Sequence, residues 1–292
     1  MEKAKVLFTK EITEESLVKI YEKLGVKLKG KIAIKLHSGE KGNQNYLRPD
    51  FMKPLVDKLN ATVVECNTAY PGERTSNRKH RKLLNYHGWD KYYNVDIMDE
   101  NGSMILYIPN GNVIKKNYVG KNIKNYDSLL VLSHFKGHPM GGFGGALKQL
   151  SIGCASRKGK AYIHGAGKTK SALLVWTKLP KQDEFIESMA DAASSVHNMF
   201  KGNVVYINVM KNMSVDCDCC KVAEDPCLKD IGILASTDPI AIDKACLDLV
   251  KKSKDKGKDH FLERVTSRNG EHIIDASLKL GFGTTDYELI EV

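Results

Sequence analysis

Short apolar runs recur along the chain, separated by stretches in which apolar residues return every three or four positions. The clearest run is 128–132, inside YDSLLVLSH, which is apolar on both faces, as a strand buried between two layers must be. Strands are also read at 5–9, 31–36, 62–65, 203–209, 230–235 and 287–292, with a further short one at 161–163. Helical spacing is read over 14–24, from near Pro49 to Leu59, and over 76–86, 182–200, 239–251 and 273–280. Asp238 stands where an N-cap belongs, Pro239 at the first helical position, and Gly281 closes the last helix. Strands alternating with helices predict an α/β fold of mostly parallel sheets flanked by helices, in two lobes with a cleft. The division is placed between 1–180 and 181–292, with a single domain as the alternative.

The chemistry gathers in two of these stretches. SHFKGHPMGGFGGALKQLSIGCASRKGKAYIHGAG starts where the buried strand at 128–132 ends. In open α/β sheets ligands bind at the carboxyl ends of strands. Gly137, Gly141, Gly142, Gly144 and Gly145 would let the backbone approach a cofactor closely, and Lys148 stands near a helix start, where free N–H groups favour anions. His138, Lys148 and His164 are the candidate catalytic groups, with His134 beside them for substrate. The alternative is a structural glycine turn with satisfied histidines.

The second stretch, SVDCDCCKVAEDPC, offers Cys217, Cys219, Cys220 and Cys227 as thiolate ligands for zinc, iron or an iron–sulfur cluster. The alternatives are a reduced cysteine loop or a redox dithiol. Asp216 and Asp218 are expected to raise the neighbouring thiols. Two further segments follow strands, KLHSGEKGNQNYLRP and ECNTAYPGERTSNRKHRK. They bring His37, Tyr70 and Arg74 to the same sheet edge, where Arg74 could fix a carboxylate or phosphate.

Composition narrows the picture. The chain has 292 residues, 42% of them hydrophobic, enough for a substantial core, and no run approaches the roughly 20 apolar residues of a membrane span. The N-terminal segment has no signal-peptide pattern. Seven cysteines, four of them within 217–227, suit a reducing compartment better than a disulfide framework, so a cytoplasmic protein is expected. The net charge of +10 comes mostly from lysine and reads as a solvated surface. It favours a small anionic substrate over nucleic acid, for which no motif is present.

The four segments, with DIGILASTDPIAIDKAC at 230–246, resemble a widespread prokaryotic family of unknown function labelled as an uncharacterised iron–sulfur centre protein. The carrying residues are HSGEKGNQNY, TAYPGER, GHPMGGFGGALKQLSIGCASRKGK and VDCDCC. The resemblance implies an iron–sulfur centre, which here would rest on the 217–227 cysteines. More distantly, the Gly/His/Lys loop resembles that of the nickel-pincer lactate racemases. His138 lies ten residues before Lys148 and His164 sixteen after it, as in that family. This implies a nickel-type or covalently held cofactor at Lys148, with His138 as acid/base and His164 as a metal ligand or second base. The racemase pattern also places a histidine near Tyr70 and a Thr-Arg pair near His37, and both are missing, so the resemblance implies the fold and not the same reaction.

The leading expectation is a metal- or cofactor-dependent enzyme, racemase-like or redox, acting on a small anionic substrate by acid/base chemistry in the Gly/His/Lys cleft. The alternatives are a non-catalytic iron–sulfur or zinc protein serving electron transfer or sensing, and a basic nucleic-acid binder. A redox partner and a homodimer remain open as partners; a membrane does not.

Overall fold

The computed structural model describes residues 3–292. The chain begins β1 (Ala4–Thr9), α1 (Glu14–Lys23), β2 (Ile32–Lys35), α2 (Lys53–Leu59), β3 (Thr62–Glu65), α3 (Asn77–Tyr86), β4 (Asp96–Ile97), β5 (Ser103–Tyr107) and β6 (Lys116–Gly120). It continues β7 (Ser128–His134), β8 (Lys136–His138), β9 (Gly142–Gly144), α4 (Ala146–Lys148) and α5 (Arg157–His164). It ends α6 (Gln182–Met199), β10 (Val204–Met210), β11 (Gly232–Ser236), α7 (Pro239–Lys252), α8 (Lys258–Ser267), α9 (His272–Lys279) and β12 (Tyr287–Glu291).

One eight-stranded sheet organises the molecule, in the order β12-β1-β11-β10-β7-β2-β3-β4. Every neighbouring pair is parallel except the two that involve β11 with β1 and β10. Strands from both sides of residue 180 therefore interleave in a single sheet. β7 lies near its middle with all seven residues buried. Its period of two divides the apolar core. Leu129 and Val131 pack on one face with the α4, α6 and α7 side, while Leu130 and Leu132 pack on the other with α1 and α2. Each of these leucines contributes on the order of 2–3 kcal/mol by leaving water.

The predicted boundaries hold where a strong local signal exists. Asp238 accepts from the N–H groups of Ile240 and Ala241 at 2.9 Å and starts α7, as its position implies. The segment 161–163 does not. Ala-Tyr-Ile favours a strand on propensity, yet it lies inside α5. Ser156 caps that helix by accepting from the Gly159 N–H at 3.1 Å. Gly159 then lets α5 press on β6, since a Cβ there would stand 1.9 Å from the Tyr118 carbonyl oxygen. Cap and packing together outweigh the propensity of three residues. Lys251, Lys252, Lys254 and Lys256 are exposed, as a solvated surface implies, and the run leads into α8, whose Phe261 and Val265 are buried. No helix among the described residues is long and apolar enough to cross a membrane.

Candidate active site

β2, β3 and β7 are adjacent and parallel, and their carboxyl ends open onto a cavity of about 200 Å³. Lys35 and His37 reach it from β2, and Glu65, Tyr70 and Arg74 from β3 and the segment after it. His138 comes from β8, Lys148 from α4, and Lys160 and His164 from α5, with Trp176 and Cys219 completing the wall. The structure thus brings His138, Lys148 and His164 to one cavity, with His37 and Tyr70 on it too.

The backbone holds the two cavity histidines in opposite tautomers. His138 Nδ1 accepts the N–H groups of Met140 at 3.2 Å and Gly141 at 2.8 Å. A ring nitrogen that accepts carries no proton, so the neutral ring has its proton on Nε2. Burial first, then the Lys148 ammonium, keeps the ring's pKa below its ordinary value. His164 Nδ1 lies 2.7 Å from the Lys160 carbonyl oxygen. A carbonyl only accepts, so here Nδ1 carries the proton and Nε2 is bare. Burial pushes His164 down to about 4, and its ring packs against Phe185 and Trp176 at 5.0 and 5.3 Å between centroids. One histidine therefore presents an N–H donor and the other a lone pair.

Beside His138 lies the cysteine turn. The Cys220 N–H bonds the Cys217 carbonyl at 2.8 Å, and the Cys219 N–H points at Cys217 Sγ at 3.4 Å. Lys148 Nζ also donates to that sulfur at 3.4 Å. Burial would push the Cys217 thiol up. The hydrogen bond with Cys219 and the charges of Lys148, Lys136 and His138 outweigh it, and the thiol lies well below its ordinary range. Neither aspartate governs Cys217, although Asp216 does push against ionisation of Cys220, where the hydrogen bond with Cys219 outweighs it. Asp218 turns to His134 Nδ1 at 2.8 Å and Lys136 Nζ at 3.0 Å, and Asp216 turns to Arg264 at 3.0 Å. Cys227 stands apart from the other three, with its Sγ on the Met213 carbonyl at 3.4 Å. Donor atoms of His138, Cys217 and Cys219 lie within 4.8 Å of one another, close enough to share a metal ion. As arranged, however, the Lys148 ammonium and the His138 Nε2–H both point at the place a cation would take. This surrounding fits a thiolate, and it does not fit a divalent cation held by the same three groups.

Several predicted substrate residues hold the walls instead. Both ring nitrogens of His134 are engaged, by Asp218 and the Lys211 carbonyl, so it docks the cysteine turn onto β7 and does not face the cavity. Arg74 is 2% exposed, with its guanidinium on Glu40 at 3.5 Å, Glu65 at 3.4 Å and the Tyr70 hydroxyl. Three of its five donors thus face protein groups, while the side chain still lines the cavity. Glu65 is the hub of this wall, accepting from Lys35 at 2.7 Å and from the Ser38 N–H and hydroxyl at 2.9 and 3.0 Å. Burial would raise its carboxyl, but Lys35 and then Arg74 hold it well below the usual range. Glu65 was legible as a charge at the end of the apolar strand TVVE, but its partners were not.

The glycines Gly141, Gly142, Gly144 and Gly145 belong to the β8–β9 hairpin and its exit, and Gly142 and Gly145 pack closely within the protein. Gly142 has φ +80°, and a Cβ there would meet Gly270 Cα at 2.7 Å. A Cβ on Gly145 would lie 2.3 Å from the Asp243 carboxylate. Asp243 accepts from the N–H groups of Ala146 at 2.7 Å and Leu147 at 2.9 Å, and so sets the direction of the turn that carries Lys148. Asp243→Ala leaves those buried donors unsatisfied. It is expected to cost about 2 kcal/mol, read as a lower urea midpoint with unchanged m-value.

Fold and site together define an α/β protein with a ligand-sized cavity at the carboxyl edge of a mostly parallel sheet. The chain belongs to the family described as Domain of unknown function (DUF362), whose model matches residues 32–248, a span that takes in every side chain lining the cavity. That description carries no iron–sulfur centre. None of the curated proteins matches the chain. Among solved structures it is similar to the lactate racemase apoprotein from Thermoanaerobacterium thermosaccharolyticum, with a TM-score of 0.43 and 16% identity over 70% of this chain and 50% of that one. It is also similar to a protein from Thermotoga maritima, with a TM-score of 0.45 and 12% identity over 91% of this chain and 58% of that one. The chain thus spans about half the length of the first and 58% of the second.

Proposed function

We propose that the protein is an enzyme that takes a small anionic substrate into this cavity and moves a proton on it. The observation that carries the reading is the pair of opposite tautomers on one cavity. His164 Nε2 offers a lone pair to accept a proton, and His138 Nε2–H offers one to donate. Lys148 supplies positive charge beside them, and burial strengthens its attraction for an anion. The Cys217 sulfur, held as a thiolate by Cys219 and then by the same lysine, adds a negative charge just behind the cavity wall.

A second reading has one observation in its favour, the 4.8 Å spacing of His138, Cys217 and Cys219. A zinc or iron ion there would be held chiefly by the two thiolates and would supply Lewis-acid chemistry at the cavity wall. It requires Lys148 to swing away and His138 to give up its Nε2 proton.

Protein purified without oxygen, analysed for metals and by intact mass, separates the two readings. The first expects no stoichiometric metal and calorimetric binding of small carboxylates that is weakened at least about tenfold in Lys148→Met. Bound zinc or iron that is lost in Cys217→Ser would support the second. Lys148→Met tests the thiolate as well. Its ultraviolet thiolate absorbance should titrate at higher pH than in the unaltered protein, and an unchanged titration would show that Lys148 does not govern Cys217.

A further inference from the structure

Among the described residues three lysines are buried: Lys35, Lys136 and Lys160. Two are neutralised in the ordinary way, Lys35 by Glu65 at 2.7 Å and Lys136 by Asp218 at 3.0 Å. Lys160 has no carboxylate within ion-pair distance. Its Nζ reaches the Ala155 carbonyl at 2.6 Å, just ahead of the Ser156 cap, and so folds back over the positive end of its own helix α5. Asp99, the nearest other acid besides Glu65, is engaged by the N–H groups of Asn67 at 2.9 Å and Arg157 at 2.8 Å. Glu65 is held by Lys35 and Arg74. Burial, ahead of the repulsion from Lys35, lowers the proton affinity of Lys160, and the Cys66 thiol and the two acids offset it only in part. The amine also lines the cavity.

A buried amine with one acceptor, no counter-charge and access to a cavity is arranged as a nucleophile rather than as a cation. We propose that Lys160 is a catalytic amine that forms an imine with the carbonyl carbon of a small 2-oxo acid. This rests on reading the cavity as an anion site and adds the functional group that the substrate carries there. In the step, the Nζ lone pair adds to the carbonyl carbon, the carbonyl π pair moves to oxygen, and one of the two Nζ protons passes to that oxygen. The second Nζ proton then passes to the new hydroxyl, which leaves as water while the C=N bond forms. Amine and carbonyl give imine and water, with no change of oxidation state. His164 lies one turn further along α5 and lines the same cavity. Its bare Nε2 accepts the proton that Nζ releases and returns it to the departing oxygen. Lys148 attracts the carboxylate of the same molecule.

The test uses glyoxylate, the smallest 2-oxo acid, followed by borohydride reduction and peptide mass mapping. The Lys160 peptide should carry the reduced adduct first, several-fold faster than an exposed lysine such as Lys10, since a lowered proton affinity raises the free-amine fraction. Lys160→Met should lose that adduct while keeping its circular dichroism. If that variant does not fold, the mapping on the unaltered protein decides alone. A Lys160 labelled no faster than Lys10, or a first adduct on Lys148, overturns the proposal. Calorimetry with glycolate, which has no carbonyl, separates this failure from that of the broader reading. Glycolate binding without a Lys160 adduct removes the imine alone, and absence of binding by both acids removes the anion site as well.

Discussion

Glu65→Ala is expected to destabilise the protein by about 4 kcal/mol, enough to leave much of it unfolded at moderate temperature. Glu65 is 2% exposed and Lys35 is fully buried, and the two meet at 2.7 Å. Removing the carboxylate leaves two buried cations, Lys35 and Arg74, close together with only Glu40 against them. It also strands the Ser38 N–H, which Glu65 accepts at 2.9 Å. An uncompensated buried charge is the costly part, so the double variant Lys35→Met/Glu65→Ala should recover a good share of the loss. Urea unfolding of the two variants measures this. A single-variant loss below about 1 kcal/mol would mean that the pair is solvated in solution and that the cavity wall is not the one described.

Acid should act on the protein well above the carboxylate range. Burial pushes His80 down to about 3 and His164 to about 4, so both stay neutral in the folded protein where the unfolded chain would protonate them. Below about pH 6.5 the unfolded chain binds more protons, and stability falls as pH drops toward 4. Each ring then removes about 3 kcal/mol by pH 4, and His197, also held to about 4 by burial, acts in the same direction. Asp243 works against them. Its carboxyl, pushed up to about 6 by burial, takes a proton in the folded state first and offsets roughly 2 kcal/mol between pH 6 and 4. The net expectation is a loss of several kcal/mol from pH 7 to pH 4, read from urea midpoints across that range, with a shallower slope in His80→Gln. A curve that stays flat from pH 6.5 to 4 would falsify the neutral, buried state of these rings.

The sequence was informative where a side chain's neighbours are its own chain neighbours. The strand at 128–132 announced itself because both faces are apolar, and β3 because TVVE ends in a charge between Leu59 and Cys66. The gathering of His138, Lys148 and His164 was legible too, because a glycine-rich turn at the end of a buried strand leaves few places for them to go, although His164 reaches the cavity on a helix and not on the expected strand. What failed was anything set by a distant contact. Residues 161–163 read as a strand because the Tyr118 carbonyl that receives Gly159 in α5 lies in another element. The 217–227 spacing reads as one set of four thiolates. Yet Cys217 and Cys220 stand at C-x2-C spacing and close one turn, while Cys227 belongs to the Met213 loop. The aspartates beside Cys217 looked able to raise it, and only the fold shows that both face other cations. Lys160 went unmarked because being unpaired is a property of the surroundings, which a sequence does not print.

The sheet order also has a consequence for how the chain is made. β1 leaves the ribosome long before its two neighbours, β11 and β12, formed by residues 232–236 and 287–291. Throughout most of synthesis it has no partner on either edge, and the strand carries Val6, Leu7 and Phe8, all destined for the core. A solitary apolar strand of that kind is a template for wrong pairing. Nascent chains stalled before residue 232 should therefore protect β2, β3 and β7 from proteolysis while leaving 4–9 open to it, and should depend on chaperones until the last strands arrive.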